Sequence, residues 1–224
     1  MAIATVRNRP LGRENISNEA AEAVRAMIAD GRLKPGERVN EVHVAAALGV
    51  SRTPLREGLR LLAAEGTLDA APRRGFFIRP LSVREFEELY DIRPILDPEA
   101  LRIAGLPTPA RIARLEKLDR ALAEARGAAA VDIDNEWHLA LIADCPNRVL
   151  LELIKNMIAR TRRYEIALMR SGENVGVANA DHRAIIAALK AGDLGRACVG
   201  LKRNMRSGKA AIADWLKDGE ALKQ

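Results

Sequence analysis

The sequence predicts a mainly α-helical chain in two parts. A flexible arm at residues 1–15 leads into a winged helix-turn-helix over 16–80, and an all-helical antiparallel bundle follows over 81–224. Three observations predict this. Aromatic residues are only 3% of the chain while Ala, Leu and Arg abound, a balance that favours helix over sheet. The stretch EVHVAAALGVSRTPLREGLRLLAAEG at 41–66 reads as two short helices joined by a glycine turn. From Ser82 onward the apolar residues recur at helical spacing, punctuated by Pro, Gly and Asn.

Composition bounds the function. Hydrophobic residues at 48% supply a proper core and exclude global disorder. No apolar run approaches the ~20 residues of a membrane span, and no secretion signal is expected at the N-terminus. Cys145 and Cys198 lie in no close metal or redox spacing and read as neutral thiols of a reducing cytoplasm. Residues 1–80 carry 13 Lys and Arg against 9 Asp and Glu, a net +4, while the longer remainder carries 23 against 21, a net +2. A concentrated basic excess favours a polyanionic partner.

In chain order, the arm is polar and basic, with Arg7, Arg9 and Arg13. A first helix is expected over Asn18–Asp30, ended by Gly31, with a turn at KPGE 34–37. The next helix should run Glu41–Leu48 and turn at Gly49–Val50. Ser51 is then expected to cap the following helix through its hydroxyl. That helix turns Leu55, Leu59 and Leu62 toward the core and leaves Arg52, Thr53 and Arg56 elsewhere on its first turns. Arg52 and Arg56 can fork onto the two acceptors of guanine or bind phosphate. Ser51 and Thr53 suit phosphates near a helix N-terminus. Thr67–Ala70 and Phe76–Ile78 are strand candidates around a tight turn displaying Arg73 and Arg74 before Gly75. Spacing alone leaves open an ordinary helical hairpin followed by an ordinary β-hairpin with solvated arginines.

The string LGVSRTPLREGLRLLAAEG, followed by this basic turn, resembles the winged helix-turn-helix of the GntR family of bacterial transcription regulators, over residues 17–80. The resemblance implies a recognition helix led by Ser51, Arg52, Thr53 and Arg56, and a wing of Arg73, Arg74 and Gly75 that approaches the minor groove. Val42 stands where some relatives carry a base-reading arginine.

After Pro80, a capping box at Ser82 and Glu85 opens the second part. Six helices are expected, over 83–104, 109–125, 132–144, 148–170, 175–190 and 193–217. Pro94 and Pro98 should kink or break the first. Thr108–Pro109 and Asn147 are helix starts. Arg160, Arg162, Arg163 and Arg170 make one helix basic, with a solvated face or a dimer contact the expected use. Tyr90, Trp137 and Tyr164 are expected to pack rather than to act as stacking platforms.

Asp134 and His138 are four apart and share a helix face, and His182 lies on a later helix. A carboxylate and imidazoles from separate helices can make a metal site, although a histidine on a helix is as readily a satisfied core residue. DNEWHLALIADCPNRVLLELI and DHRAIIAALKAGDLGRA resemble the all-helical FCD domain of FadR-type GntR regulators, over roughly 83–217. That resemblance implies a divalent metal (zinc, nickel or manganese) held by Asp134, His138 and His182, with Asn204 at the position of a fourth, histidine ligand. It also implies an arginine near the pocket, Arg93, which would clamp the carboxylate of a small organic acid effector; an interdomain or dimer salt bridge is the other reading of that residue.

The function expected is a homodimeric, cytoplasmic, DNA-binding regulator, a repressor, associated with the nucleoid when bound to a pseudo-palindromic double-stranded operator, with no membrane partner. The alternatives are a metal-dependent hydrolase-like enzyme using Asp134, His138 and His182, or a regulator whose ligand pocket is vestigial.

Overall fold

The computed structural model describes residues 13–170 and 179–219. The expected arm thus falls, for residues 1–12, outside the described residues, as does the expected helix start at 175. The chain divides into two compact units, Met1–Arg79 and Pro80–Gln224.

The first unit is built from α1 (Arg13–Ala29), α2 (Glu41–Leu48), α3 (Arg52–Ala64), β1 (Leu68–Ala71) and β2 (Gly75–Ile78). The first helix starts at Arg13, inside the stretch expected to be an arm. The Asn40 side chain accepts from the His43 amide to start α2, and Gly49 ends it at φ 66°, a left-handed conformation that costs glycine little. Leu55, Leu59 and Leu62 of α3 are fully buried among Val24, Val44, Leu68 and Ile78. α1 lies close along α3 because Gly58 has no side chain: a Cβ there would sit 2.7 Å from the Ser17 backbone oxygen. β1 and β2 are antiparallel, with Leu68 opposite Ile78 and Ala71 opposite Gly75. The strands reach one residue further toward the tip than expected at both ends of the turn, which is left with Pro72, Arg73 and Arg74. Arg73 takes a positive φ of 62° there.

The second unit is helical: α4 (Val83–Ala104), α5 (Pro109–Glu124), α6 (Gly127–Leu141), α7 (Arg148–Arg170), α8 (Asn179–Lys190), α9 (Leu194–Ser207) and α10 (Lys209–Lys217). α4 is continuous through Pro94 and Pro98, so the expected break does not occur. α6 begins earlier than expected, at Gly127, because the alanine run 128–130 has the highest intrinsic helix propensity. The last expected helix is two, divided at Gly208. Thr108 and Asn147 accept from the amides of Arg111 and Leu150.

The Ser82 hydroxyl accepts from the Glu85 amide, and the Ser82 amide donates to the Tyr164 hydroxyl, which itself donates to the Glu85 carboxylate. That carboxylate is held by Arg160, Arg163 and the Tyr164 hydroxyl, the last at 2.7 Å. Arg162 pairs with Asp132. Arg160, Arg162 and Arg163 are therefore ion-pair partners within the unit, and Arg163, at 7% exposure, does not lie on the solvated face expected of it. The Arg170 side chain lies outside the described residues.

Two apolar clusters fill this unit. One joins Leu101, Leu115, Leu141, Ile154, Ile185 and Leu201; the other joins Phe86, Leu89, Tyr164, Leu168, Ile212 and Trp215. Along α4, Arg93 falls where one cluster gives way to the other, and on α7 Glu165 lies between Tyr164 and Leu168 of the second.

Candidate functional sites

Ser51, Arg52, Thr53 and Arg56 stand exposed on the first turns of α3, and Arg73 and Arg74 are exposed at the hairpin tip. Both elements line one groove of about 480 Å³, with Arg38, Glu41, Arg52, Arg56, Arg73 and Gly75 on its walls. Arg56 Nε lies 3.4 Å from Glu41 Oε2. Arg74 lies over the Phe77 ring, 5.4 Å from its centroid, a cation–π contact. Gly75 brings the strand backbone beside Arg38 and Glu41, where an added Cβ would lie 3.6 Å from Arg38 Nε. Arg38 was not singled out by sequence reasoning; it precedes α2 and reaches this groove because it bridges to Phe77 of β2. Val42 is exposed on the same side, lining an adjoining groove with Arg38 and Arg52.

Ser51 occupies the N-cap position of α3, but its hydroxyl makes no capping bond, contrary to expectation. The reason lies three residues on. Pro54 sits at the third helical position, where the usual donor amide would be, and proline has none. The Ser51 hydroxyl is thereby left without a capping bond at an exposed helix start.

In the second unit, Asp134 and His138 on α6 meet His182 on α8, with one ligand atom from each lying within 4.8 Å of the others. His138 Nε2 lies 3.6 Å from Asp134 Oδ2, and His182 Nε2 lies 3.5 Å from Asp134 Oδ1. Both imidazoles are buried, while the Asp134 side chain keeps 30% of its exposure and forms the open side of the cluster. Trp137 stacks flat on His182, at 3.7 Å between centroids and 7° between planes. This tryptophan therefore packs as expected and also sets the plane of a candidate ligand.

Burial pushes His182 down to about 4. Burial, with the charges of His182 and Arg93, pushes His138 well below the ordinary histidine value. Both rings are neutral at neutral pH, the form with a lone pair for a metal. Burial and the neighbouring Glu165 carboxylate raise Asp134 to about 7 against the opposing charge of Arg93. His138 Nδ1 and both nitrogens of His182 have no hydrogen-bond partner. A buried polar atom without a partner costs about 1–3 kcal/mol, so the cluster calls for something to satisfy it. Two neutral imidazoles and a carboxylate suit zinc, nickel or manganese, and the residues present fit a divalent cation. Asn204 is buried on α9, which packs against α8.

Arg93 is 5% exposed and donates through Nη2 to Asp97 Oδ2 at 3.0 Å, an ion pair within α4. This intrahelical pair replaces the interdomain or dimer salt bridge considered for it. Its Nε has no partner, and its charge acts on Asp134, His138 and Glu165.

Sequence reasoning missed Glu165, Asn135 and Asp119. Glu165 accepts from the Tyr90 hydroxyl at 2.9 Å, and burial raises its carboxyl above the ordinary range. Asn135 is buried beside it, and its side chain counters the effect of burial on that carboxyl. Asp119 is buried on α5, where burial raises its carboxyl against the charges of Arg183 and Arg120. One signal was available for two of them. Asp119 lies between Leu115 and Leu122, and Glu165 between Ile158 and Leu168, on inward-facing helical positions that are otherwise apolar or neutral.

A basic winged helix-turn-helix, followed by a helical unit whose Asp–His–His cluster has two buried histidines and a half-buried aspartate, defines a class: two-part transcriptional regulators. Residues 16–78 match the family of bacterial regulatory proteins called gntR, and residues 88–207 match the FCD domain. The chain belongs to the GntR family of transcriptional regulators and carries an FCD domain. It is 37% identical over 133 residues to the Nta operon transcriptional regulator of Aminobacter aminovorans, covering 58% of this chain and 63% of that protein. It is 44% identical over 80 residues to the uncharacterized HTH-type transcriptional regulator YdhC of Bacillus subtilis, covering 36% of each. The chain thus spans less than two thirds of the length of these curated relatives. Among solved structures, Escherichia coli McbR/YncC superposes with a TM-score of 0.75 at 24% identity, covering 90% of this chain and 98% of that one. A putative GntR regulator from Rhodococcus sp. RHA1 gives 0.70 at 24%, covering 88% and 97%. At these identities the likeness shows the fold.

Proposed function

We propose that the protein is a ligand-responsive repressor that binds double-stranded operator DNA as a homodimer. The observation that carries this is the groove shared by α3 and the hairpin, whose walls bring four exposed arginines, Arg38, Arg52, Arg56 and Arg73, onto one face. Arg52 and Arg56 read guanine edges, Ser51 and Thr53 hold phosphate at the start of α3, and Arg73, Arg74 and Gly75 approach the minor groove. Two copies related by a two-fold axis place two α3 helices on the half-sites of a pseudo-palindrome.

Asp134, His138 and His182 would hold a divalent cation, with Asn204 as a further oxygen donor. The cation would supply positive charge to anchor a carboxylate. Arg93 offers its unpartnered Nε to the same small organic acid. The acid's differential affinity for two conformations of the regulator then sets operator affinity. The family match sets the hydrolase reading aside, since the relatives are regulators rather than enzymes.

The test is a mobility-shift titration at fixed salt on DNA selected from a random pool. Arg52→Ala should weaken binding about 10- to 100-fold while the protein stays folded. Unchanged affinity would overturn the assignment. Repeating the titration with a panel of organic acids tests the effector, which should lower affinity in wild type and not in His138→Ala.

A further inference from the structure

His182 is held by a stacking contact that cannot tell its two edges apart. Trp137 lies parallel to the ring at 3.7 Å, which blocks tilting. A half-turn about the Cβ–Cγ bond returns the ring to the same plane with its nitrogens moved to the opposite edge. The stack is equally good in both states. Only one of them turns Nε2 toward Asp134, at 3.5 Å.

On the opposite side of the ring stands Asp119 of α5, the helix packed against α8. Its Oδ1 lies 3.8 Å from His182 Nδ1. Neither atom has a hydrogen-bond partner, and both residues are buried. Two unpartnered polar atoms, an acceptor and a nitrogen able to carry a proton, therefore face each other in the protein interior. His138 Nδ1 is equally unpartnered, but the carboxylate beside that imidazole, Asp134, faces its Nε2 instead.

We propose that Asp119 is the positioning residue of His182, accepting its Nδ1 proton so that the Nε2 lone pair faces Asp134 and the cation site. This rests on reading Asp134, His138 and His182 as a metal site. A carboxylate behind a ligating histidine fixes its tautomer, and loss of such a partner weakens metal affinity about 10- to 100-fold.

The experiment uses the full-length protein and two readouts. The first is ring-nitrogen NMR of the metal-free protein, which reports where the His182 proton sits. The second is affinity for zinc alone, measured by competition with a chromophoric chelator. Wild type should carry the proton on Nδ1. Asp119→Leu, which keeps bulk between Leu115 and Leu122 and removes the acceptor, should lose this preference and bind zinc about 10- to 100-fold more weakly. Asp119→Asn, which keeps one acceptor oxygen, should fall between them. A purely structural role would lower the melting temperature of all metal-free variants without moving the tautomer. A wild-type proton on Nε2 overturns the proposal without any variant, as do variants that leave tautomer and affinity unchanged. If wild type binds no zinc while the tautomer still answers to Asp119, the metal reading fails and the hold on His182 stands.

Discussion

The two units use charge in opposite directions. In the first, Arg52, Thr53, Arg56, Arg73 and Arg74 all point outward from two turns of one helix and one hairpin. In the second, Arg93, Asp97, Asp119, His138 and His182 are turned inward, each less than a tenth exposed, from α4, α5, α6 and α8. An outward array stays hydrated, so its charges cost little until a polyanion replaces their counterions. An inward array is desolvated from the start, which is why the Asp119 carboxyl is raised and both histidines are lowered, with Asp134 beside them raised as well. The contrast teaches where each unit is vulnerable. Substitutions in the outward array should spare the fold, whereas substitutions in the inward array act on groups packed inside it.

The largest effect should come from His138→Ala. It removes one of three converging ligands, and elemental analysis of zinc-reconstituted protein after desalting should find about one ion per wild-type chain and close to none in the variant. Retention of the ion by the variant would break the contrast, since the inward array would then have no task.

A smaller effect is expected at Glu85. Burial alone would raise its carboxyl, but hydrogen bonds from Arg160 and Tyr164 and the charge of Arg163 outweigh burial and hold it below the ordinary value. A lowered carboxyl stabilises the fold above its unfolded value, near 4.5, and that contribution fades as pH falls through the lower native value. Glu85→Gln should cost the second unit about 1.5–3 kcal/mol at about pH 6, and the gap to wild type should close on acidification below 4.5. Denaturant melts across that range check it.

In the first unit, Gly58→Ala sets two terms against each other. Helix propensity favours alanine by about 1 kcal/mol, while a Cβ 2.7 Å from the Ser17 oxygen forces α1 away at about 1–3 kcal/mol. The net should be destabilising, read as a lower first thermal transition. The smallest effect is at the hairpin tip, where Arg74→Ala should leave stability unchanged and reduce the salt slope of DNA binding by about one.

The same contrast explains what was legible in the sequence. Leu55, Leu59 and Leu62 identified the buried face of α3, and the arginines of its first turns followed from the same spacing, because everything needed lies within 15 residues. Asp134 and His138 were legible for the same reason, being one turn apart. That His182 reaches them is a matter of how α6 and α8 come together, which no local spacing contains. Asp119 and Glu165 were harder still. Each is a lone carboxylate, and only its position on an inward-facing helical stripe marks it as more than a solvated charge. The failed cap at Ser51 was legible in hindsight from Pro54, since the missing amide is a covalent fact.

α4 has a mechanical peculiarity at the turn that carries Arg93. Pro94 and Pro98 supply no amides, so the carbonyls of Tyr90 and Pro94 miss their rungs in the helical ladder. The Arg93–Asp97 ion pair spans that same turn, each partner standing just before a proline. Across that turn α4 is tied by a side-chain pair where two backbone bonds are missing. A group that competed for Arg93 would remove that tie, which would link how freely a 22-residue rod bends to the occupancy of one guanidinium.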